Sequence, residues 1–541
     1  MKKRNYIFNG VVALIISQCI VKIFGLVYKL YLANKQGFGD SGNAIYNSGY
    51  QIYALLLTIS SIGVPNAVAK LIAEKRFSGD EKEIAKILKS SLIIFSIIGI
   101  AGSLILAIFA DFISNNLLNI KEAKYSIIAL SPAIFNVCLI SVYRGFYNGL
   151  NKVNITAKSQ TIEQILKTVF TIVLVEIVFI LTNANTVIMA AIANFATTLA
   201  TLCSFIYLYR KNNLKYISVR FERKSVKRIL KVSIPISLSA ILASLNRNID
   251  SITVVRFLKN SIGEHEAKIQ YGILSGKIDV LSSVPVSFII AIATTIIPTV
   301  ALLNAQNDKE HLKKVAKTYI LFTILLVLPC GVGIFAFSDQ ILYLLFNNNN
   351  GSILLKISAV SIIFISIEQI THAILQGIGK VFVPTVSLLI GVIIKIILNI
   401  NLIKLPQTYF IGGTAGACIA TLVCHIVASN ISFRIMIKKL NIKIKIFKYV
   451  LKPAIASGIM LLCLYSSYFL LKGIIIENIA IILAILVAIF MYIASIFILK
   501  ILNEEELNLI PFISNLIKFS EKINFIRKNK EKRRILHKFG E

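Results

Sequence analysis

Residues Gly149–Val153 read GLNKV, and residues Gly377–Val381 read GIGKV. The two stretches lie 228 positions apart (149 to 377), and at the same shift Lys167 meets Lys395. In each place an apolar run closes at a glycine, a short Gly/Asn turn follows, and the next apolar run carries a lysine in its interior. Pro65 and Pro298 also correspond, at a slightly different shift. A weak internal duplication follows from these matches, and the nature of the duplicated unit decides the fold.

Composition supplies that unit. Of 541 residues 56% are hydrophobic and 15% charged, with a mean hydropathy of +0.79, whereas soluble chains are about a quarter charged. Apolar runs of about 20 residues, enough to cross a hydrocarbon core of about 30 Å, recur from end to end. Fourteen are expected, at 7–33, 44–74, 87–112, 124–150, 158–182, 186–209, 229–258, 270–303, 315–338, 351–378, 381–403, 411–433, 449–471 and 474–499. The class is an all-α polytopic membrane protein, because a transmembrane β-barrel would show short alternating segments instead. The first run is too long for a signal-peptide core, carries Lys22 and Lys29 and lacks a small-residue cleavage site, so it reads as a retained span. All seven cysteines fall within the apolar runs with no CxxC, as small buried hydrophobes would.

The net charge of +33 is arranged by topology. Alternate loops and the two ends hold 41 of the 58 Lys and Arg residues, and the opposite loops hold 7. Positive charge near span ends stays cytoplasmic, which places both termini inside a bacterial plasma membrane and makes the span number even. The basic loops and the tail RKNKEKRR (527–534) suit anionic lipid, so nucleic acid is not the expected partner. The densest basic loop, Arg210 to Lys231, separates six spans from eight. The expected organisation is a first lobe at 1–209, a basic linker at 210–228, a second lobe at 229–440, two added helices within 441–502 and a cytoplasmic tail at 503–541. Both lobes start on the basic side, which describes a parallel repeat about the membrane normal; transporters built this way place the substrate between the halves. A monomer is expected.

Ionisable residues inside spans need partners or a wet cavity. Lys22 and Lys29 are seven apart and share a helix face, Lys22 near mid-depth and Lys29 able to snorkel. Arg144 cannot shed its charge and needs an anion, a carbonyl cluster or the inner interface. Glu163 and Lys167 stand at i, i+4 in the favourable order for a pair within one helix. Arg247 and Asp250 share a face in LASLNRNIDSITVVRF (242–257), while Lys277 and Asp279 point to different sides. Glu368 and His372, and likewise Lys395 and Asn399, are again four apart. A cavity lined by both halves accounts for these residues, and its excess of cations predicts an anionic substrate. No Walker A, HExxH, GxSxG or DxD pattern is present, so neither an enzyme nor a metal or other cofactor is expected.

Four stretches carry a family resemblance: GFGDSGNAIYNSGYQIYALLLTISSIGVPNAVAKLIAE (37–74), VYRGFYNGLNKVNITAKSQTIEQILK (142–167), NIDSITVVRFL (248–258) and ILQGIGKVFVP (374–384). They resemble the stage V sporulation protein B and MurJ-type lipid II flippase group of the multidrug/oligosaccharidyl-lipid/polysaccharide exporter superfamily. The resemblance spans roughly residues 5–500. It implies fourteen helices in two six-helix lobes, with the last two forming a groove for a lipid tail. It further implies alternating access that carries an undecaprenyl-pyrophosphate-linked glycolipid from the inner to the outer leaflet. Lys22 would match a basic cavity residue of the family's first helix, a point charge where a bidentate fork is usual. Arg247 and Lys277 would complete a diphosphate clamp from the second lobe. Some relatives are thought to hold sodium there; here Lys395 projects near Asp250, and an ammonium would take the ion's place. The rival readings are a multidrug/cation antiporter, which wants an acidic cavity and twelve spans, and a non-transporting scaffold for cell-wall or spore-cortex synthesis.

Overall fold

The computed structural model describes residues 17, 20–76, 81–150, 152–212, 244–246, 248–407, 409–443, 445 and 447–503, with only the backbone at some positions such as 59–63. Among the described residues every regular element is helical. This follows from the solvent, because hydrocarbon offers backbone groups no partners and a helix satisfies them within itself. The long helices are α1 (20–34), α2 (Gly39–Arg76), α3 (Glu81–Ile108), α4 (Ala123–Gly149), α5 (Val153–Leu181) and α6 (Thr186–Arg210), then α7 (248–262). Next, α8 (Glu264–Ile273) runs through a π-helical turn (Leu274–Ile278) into α9 (Asp279–Ala305). The chain continues with α10 (Lys309–Ala336), the short α11 (Ser338–Phe346), α12 (Ser352–Gly377), α13 (Phe382–Leu402), α14 (Gly413–Leu440), α15 (Lys452–Lys472) and α16 (Glu477–Ile498). Eleven helices among the described residues are long and apolar enough to cross a membrane. The other three expected spans, 7–33, 44–74 and 229–258, each include residues outside the described set or described only in backbone.

The duplication is visible in the packing. In the first half α4 packs on α2, α3 and α6, and α6 packs on α5. In the second half α12 packs on α9, α10 and α14, and α14 packs on α13. One contact repeats residue for residue at the shift of 228. A Cβ added to Gly149 would lie 2.8 Å from both the Ala69 carbonyl oxygen and Ile72 Cβ; one added to Gly377 would lie 3.1 Å from the Ile297 carbonyl oxygen and 2.7 Å from Val300 Cγ1. Only glycine admits so close an approach of helix to helix. The central α4 buries 72% of its apolar window, whereas α3 and α5 bury 22% and turn the rest outward. The α15–α16 hairpin has no counterpart in the first half. It is fixed to the second lobe by Tyr492 Oη donating to the Leu325 carbonyl (2.6 Å) and Tyr465 Oη to that of Ala336 (3.1 Å).

The halves meet at one end, where residues 34–43 and 119–122 face residues 259–277 and 345–348. Gly272 and Gly276, one helical turn apart, let α8 and its π turn close on Asp40 and Asn43, which an added Cβ would approach to 1.8 and 2.7 Å. Lys277, 1% exposed, pairs there with Asp40 (3.0 Å) and donates to Asn348 Oδ1 (3.0 Å). Lys268 pairs with Glu122 (2.8 Å), Lys259 donates to Asn119 Oδ1 (2.7 Å), and Asn34 donates to the Leu345 carbonyl (2.7 Å). One hydrophobic core runs across both halves at this end, from Tyr28 and Tyr46 to Ile278 and Phe346. A second core, built from α9, α10, α12 and the α15–α16 hairpin, belongs to the second half alone.

Candidate functional site

In the first lobe the site is a group of lysines beside a ladder of tyrosines. Lys22 is exposed and Lys29 is half-buried on α1. Tyr46, Tyr50 and Tyr53 follow one another along one face of α2, with ring centroids 5.9 and 5.6 Å apart, and Tyr28 of α1 meets Tyr46 edge-on at 6.5 Å. The Lys167 ammonium, 4% exposed, lies over the Tyr50 ring at 4.2 Å and the Tyr28 ring at 4.9 Å. A desolvated ammonium over aromatic faces gains about 2 kcal/mol. Lys29 also feels the carboxylate of Asp279, contributed by the second lobe.

The expected pair within α5 is replaced by one between helices. Glu163 accepts from Arg144 Nη2 at 2.7 Å, and the same guanidinium donates to Ser159 Oγ at 3.0–3.1 Å. Arg144 on α4 faces the α5 turn that carries both acceptors, whereas Lys167, one turn beyond Glu163, is turned toward the tyrosines. Glu176, nearer the far end of α5, accepts from Lys35 (2.5 Å) and Tyr31 (2.6 Å).

In the second lobe the position equivalent to Lys167 is neutralised. Lys395, 1% exposed, donates to Asp250 Oδ2 at 2.7 Å and to the Asn246 carbonyl at 2.8 Å. Asn399 occupies the other carboxylate oxygen at 2.9 Å and also reaches Thr253 Oγ1 at 2.9 Å. A sodium ion does not fit this donor set, because both Asp250 oxygens accept from nitrogen donors and an ammonium holds the place of the cation. Arg247, expected as a phosphate ligand, lies outside the described residues. Lys277, expected beside it, is engaged with Asp40 across the closed end.

Deeper in the second lobe is a buried acid between two imidazoles. Glu368 Oε2 is 2.7 Å from His425 Nδ1, and Glu368 Oε1 is 3.7 Å from His372 Nδ1. His425 Nε2 meets Asn246 Nδ2 at 3.3 Å, which links this cluster to the Lys395–Asp250 knot. His372 Nε2 meets Ser432 Oγ at 2.9 Å and Ser387 Oγ at 3.3 Å. Sequence reading placed Glu368 beside His372 but missed His425, Asn246, Asp40 and the tyrosines. The ladder had a legible signal, since Tyr46, Tyr50 and Tyr53 keep an i, i+4, i+7 spacing. His425 had none, because its acid is on another helix.

Comparisons with known proteins agree with this architecture. The model of the polysaccharide biosynthesis protein family matches residues 7–304, and that of the MatE family matches residues 272–400. Lipid II flippase MurJ of Bacillus subtilis is 28% identical over 465 residues, covering 80% of this chain and 82% of that protein. Stage V sporulation protein B of the same organism is 23% identical over 537 residues, covering 96% of this chain and 100% of its own. Among solved structures, lipid II flippase MurJ in an inward closed conformation superposes with a TM-score of 0.71 at 17% identity, over 90% of this chain and 98% of that one. An inward-facing MATE multidrug transporter of the MOP superfamily gives 0.65 at 16%, over 80% and 98%. With helices of membrane-spanning length, a duplicated packing and a family match over more than half its length, the chain is a multi-pass membrane protein of the polysaccharide biosynthesis protein family, similar to lipid II flippase MurJ and stage V sporulation protein B.

Proposed function

We propose that the protein is a flippase that moves an undecaprenyl-pyrophosphate-linked cell-wall precursor, lipid II or a related oligosaccharide-lipid, outward across the bacterial plasma membrane by alternating access. The observation that carries the reading is the asymmetry of the two lobes. The first lobe presents Lys22, Lys29 and Lys167, and among the described residues no carboxylate is hydrogen-bonded to Lys167, while the second lobe's matching lysine is bound by Asp250. A wall of lysines favours a diphosphate, whose passage through a low-dielectric interior would otherwise be costly. Lys22 and Lys29 are the cargo ligands in this reading, with Arg247 and Lys277 joining when the lobes rearrange. Arg144 is held by Glu163 and orients α5.

The lobes are residues 1–209 and 229–440, joined by the linker 210–228. Residues 441–502 carry the added hairpin and 503–541 the basic tail. Both termini face the cytoplasm in this reading, so the closed end is the outer one. An inside-negative potential favours outward movement of an anion by about 2.3 kcal/mol per charge per 100 mV. The decisive assay is outward lipid II translocation in cells depleted of their own flippase, with expression of each variant verified. Lys22→Ala and Lys29→Ala together are expected to abolish it. Full complementation by the double variant removes the phosphate-binding role. A cation antiporter fits less well, because Glu163, Glu176 and Asp250 each already hold a cation or hydrogen-bond donor.

A further inference from the structure

The hydrogen bonds of the cluster around Glu368 leave little freedom in where its protons lie. Ser387 Oγ donates to the Pro384 carbonyl at 3.0 Å, and Ser432 Oγ donates to Ser387 Oγ at 2.7 Å. Each hydroxyl has a single proton, so both are committed, and His372 Nε2 must donate to Ser432. On the other side Cys424 Sγ donates to Asn246 Oδ1 at 3.7 Å. The Asn246 amide nitrogen therefore donates to His425 Nε2, and His425 Nδ1 donates to Glu368 Oε2. His425 is then a neutral ring with its proton on Nδ1. His372, when neutral, has its proton on Nε2 and turns the Nδ1 lone pair toward Glu368 Oε1.

Two acceptors thus face each other across 3.7 Å, too far for a hydrogen bond, whereas the His425 contact at 2.7 Å is a short one. We infer that Glu368, His372 and His425 form a binding site for one proton, shared between His372 Nδ1 and Glu368 Oε1 in the interior of the second lobe. Uptake of that proton turns two opposed lone pairs into one hydrogen bond without reversing any other. The gap is expected to close to about 2.8 Å. Charge points the same way. Glu368 side-chain exposure is 2%, and with Lys395 and Asp250 cancelling, the described groups leave one uncompensated negative charge. Burial disfavours such a charge.

Several titratable groups face the site. From α14 come His425 and Cys424; from α13 Lys395, and from α7 Asp250, both reached through Asn246. The helices α9 and α10, which pack on α12, carry Asp279, Tyr319 and Cys330, along with the charged start of α10. No group of three metal-ligating side chains among the described residues could hold an ion, which separates this cluster from a metal centre. Glu368 and His372 both stand on α12, while α13 reaches the site through Ser387 and α14 through His425 and Ser432. The site stands on this geometry alone; only the use of the proton to drive the lobes rests on the transport reading.

The chain has five histidines, few enough for histidine-nitrogen NMR on the isotopically labelled full chain in lipid nanodiscs. Signals are assigned by single His→Gln variants. The expected result is His425 in the Nδ1–H form, and His372 passing from the Nε2–H form to a doubly protonated or proton-sharing ring as pH falls. In Glu368→Gln the amide can donate to His372 Nδ1, so the His372 step is lost. The inference is overturned if His372 carries its proton on Nδ1 when neutral, if neither ring changes with pH, or if Glu368→Gln leaves the His372 step in place. The first two outcomes are read on the wild-type chain and need no variant to fold. None involves cargo, so failure of the flippase assay and failure of the proton site are separate results.

Discussion

Lys167 and Lys395 occupy the same place in two copies of one structural unit, and almost everything around them differs. The first lies against the faces of Tyr28 and Tyr50. The second is bound by Asp250 and the Asn246 carbonyl and is neutralised in place. The helix packing beneath them is shared down to the glycine contacts. A duplicated scaffold can therefore surround equivalent lysines with aromatic faces in one lobe and with a carboxylate in the other.

The most severe way to break the comparison is Asp250→Ala. Removing one partner of a buried ion pair leaves the other uncompensated, and about 3–5 kcal/mol of stability is expected to be lost. Replacing both partners by apolar residues, as in Asp250→Leu with Lys395→Met, should restore most of it. Lys167→Met is expected to change stability by less than about 2 kcal/mol, the scale of its ring contacts, while lowering transport of an anionic cargo. Denaturant midpoints of the purified protein in detergent measure all three. An equal loss from Asp250→Ala and Lys167→Met would erase the distinction between the lobes.

Gly149→Ala and Gly377→Ala sharpen the comparison from the other side. Each puts a methyl group where the neighbouring helix already stands, and overpacking of this kind costs about 1–3 kcal/mol. The two losses should be alike, measured as shifts of the same midpoint. A large effect at only one position would mean that the copies have drifted apart in packing as well as in charge.

The smallest effect belongs to the contact between the lobes at Glu122. Burial alone would raise this carboxyl, but hydrogen bonds from Lys268 and from its own backbone outweigh burial and hold it below the usual carboxylate range. Its folded-state pKa is depressed, so its stabilising contribution is present above the unfolded value and is lost as pH falls through the folded one. The melting temperature of Glu122→Gln should lie below that of the wild type at neutral pH and meet it under acid conditions, a shift kept modest by the partial exposure of the carboxylate.

Much of the fold was legible because it depends on periodicity. Apolar length gave the spans, basic loops gave their alternation, and the GLNKV/GIGKV match gave the repeat that the Gly149 and Gly377 contacts display. The sites were legible only in part. A spacing of four places two residues on one face but does not say what stands opposite, so Glu163 was assigned to Lys167 when Arg144 on the next helix is nearer. The partners of Lys277 and Glu368, at Asp40 and His425, lie 237 and 57 residues away and cannot be found along a single helix. Asp250 and Lys395 were brought together by family resemblance, and the distance of 2.7 Å now stands on geometry.

The Lys277–Asp40 contact has a kinetic consequence. To part the halves at that end, an ammonium that is 1% exposed and its carboxylate must both be rehydrated before any new partner can be found, and removing charged groups from a close buried pair is slow in proportion to what they lose at the moment of separation. In the proposed cycle a door, rather than a grip, is expected to set the rate. Turnover should respond steeply to temperature, and saturating cargo should hasten it only as far as cargo helps that door to open.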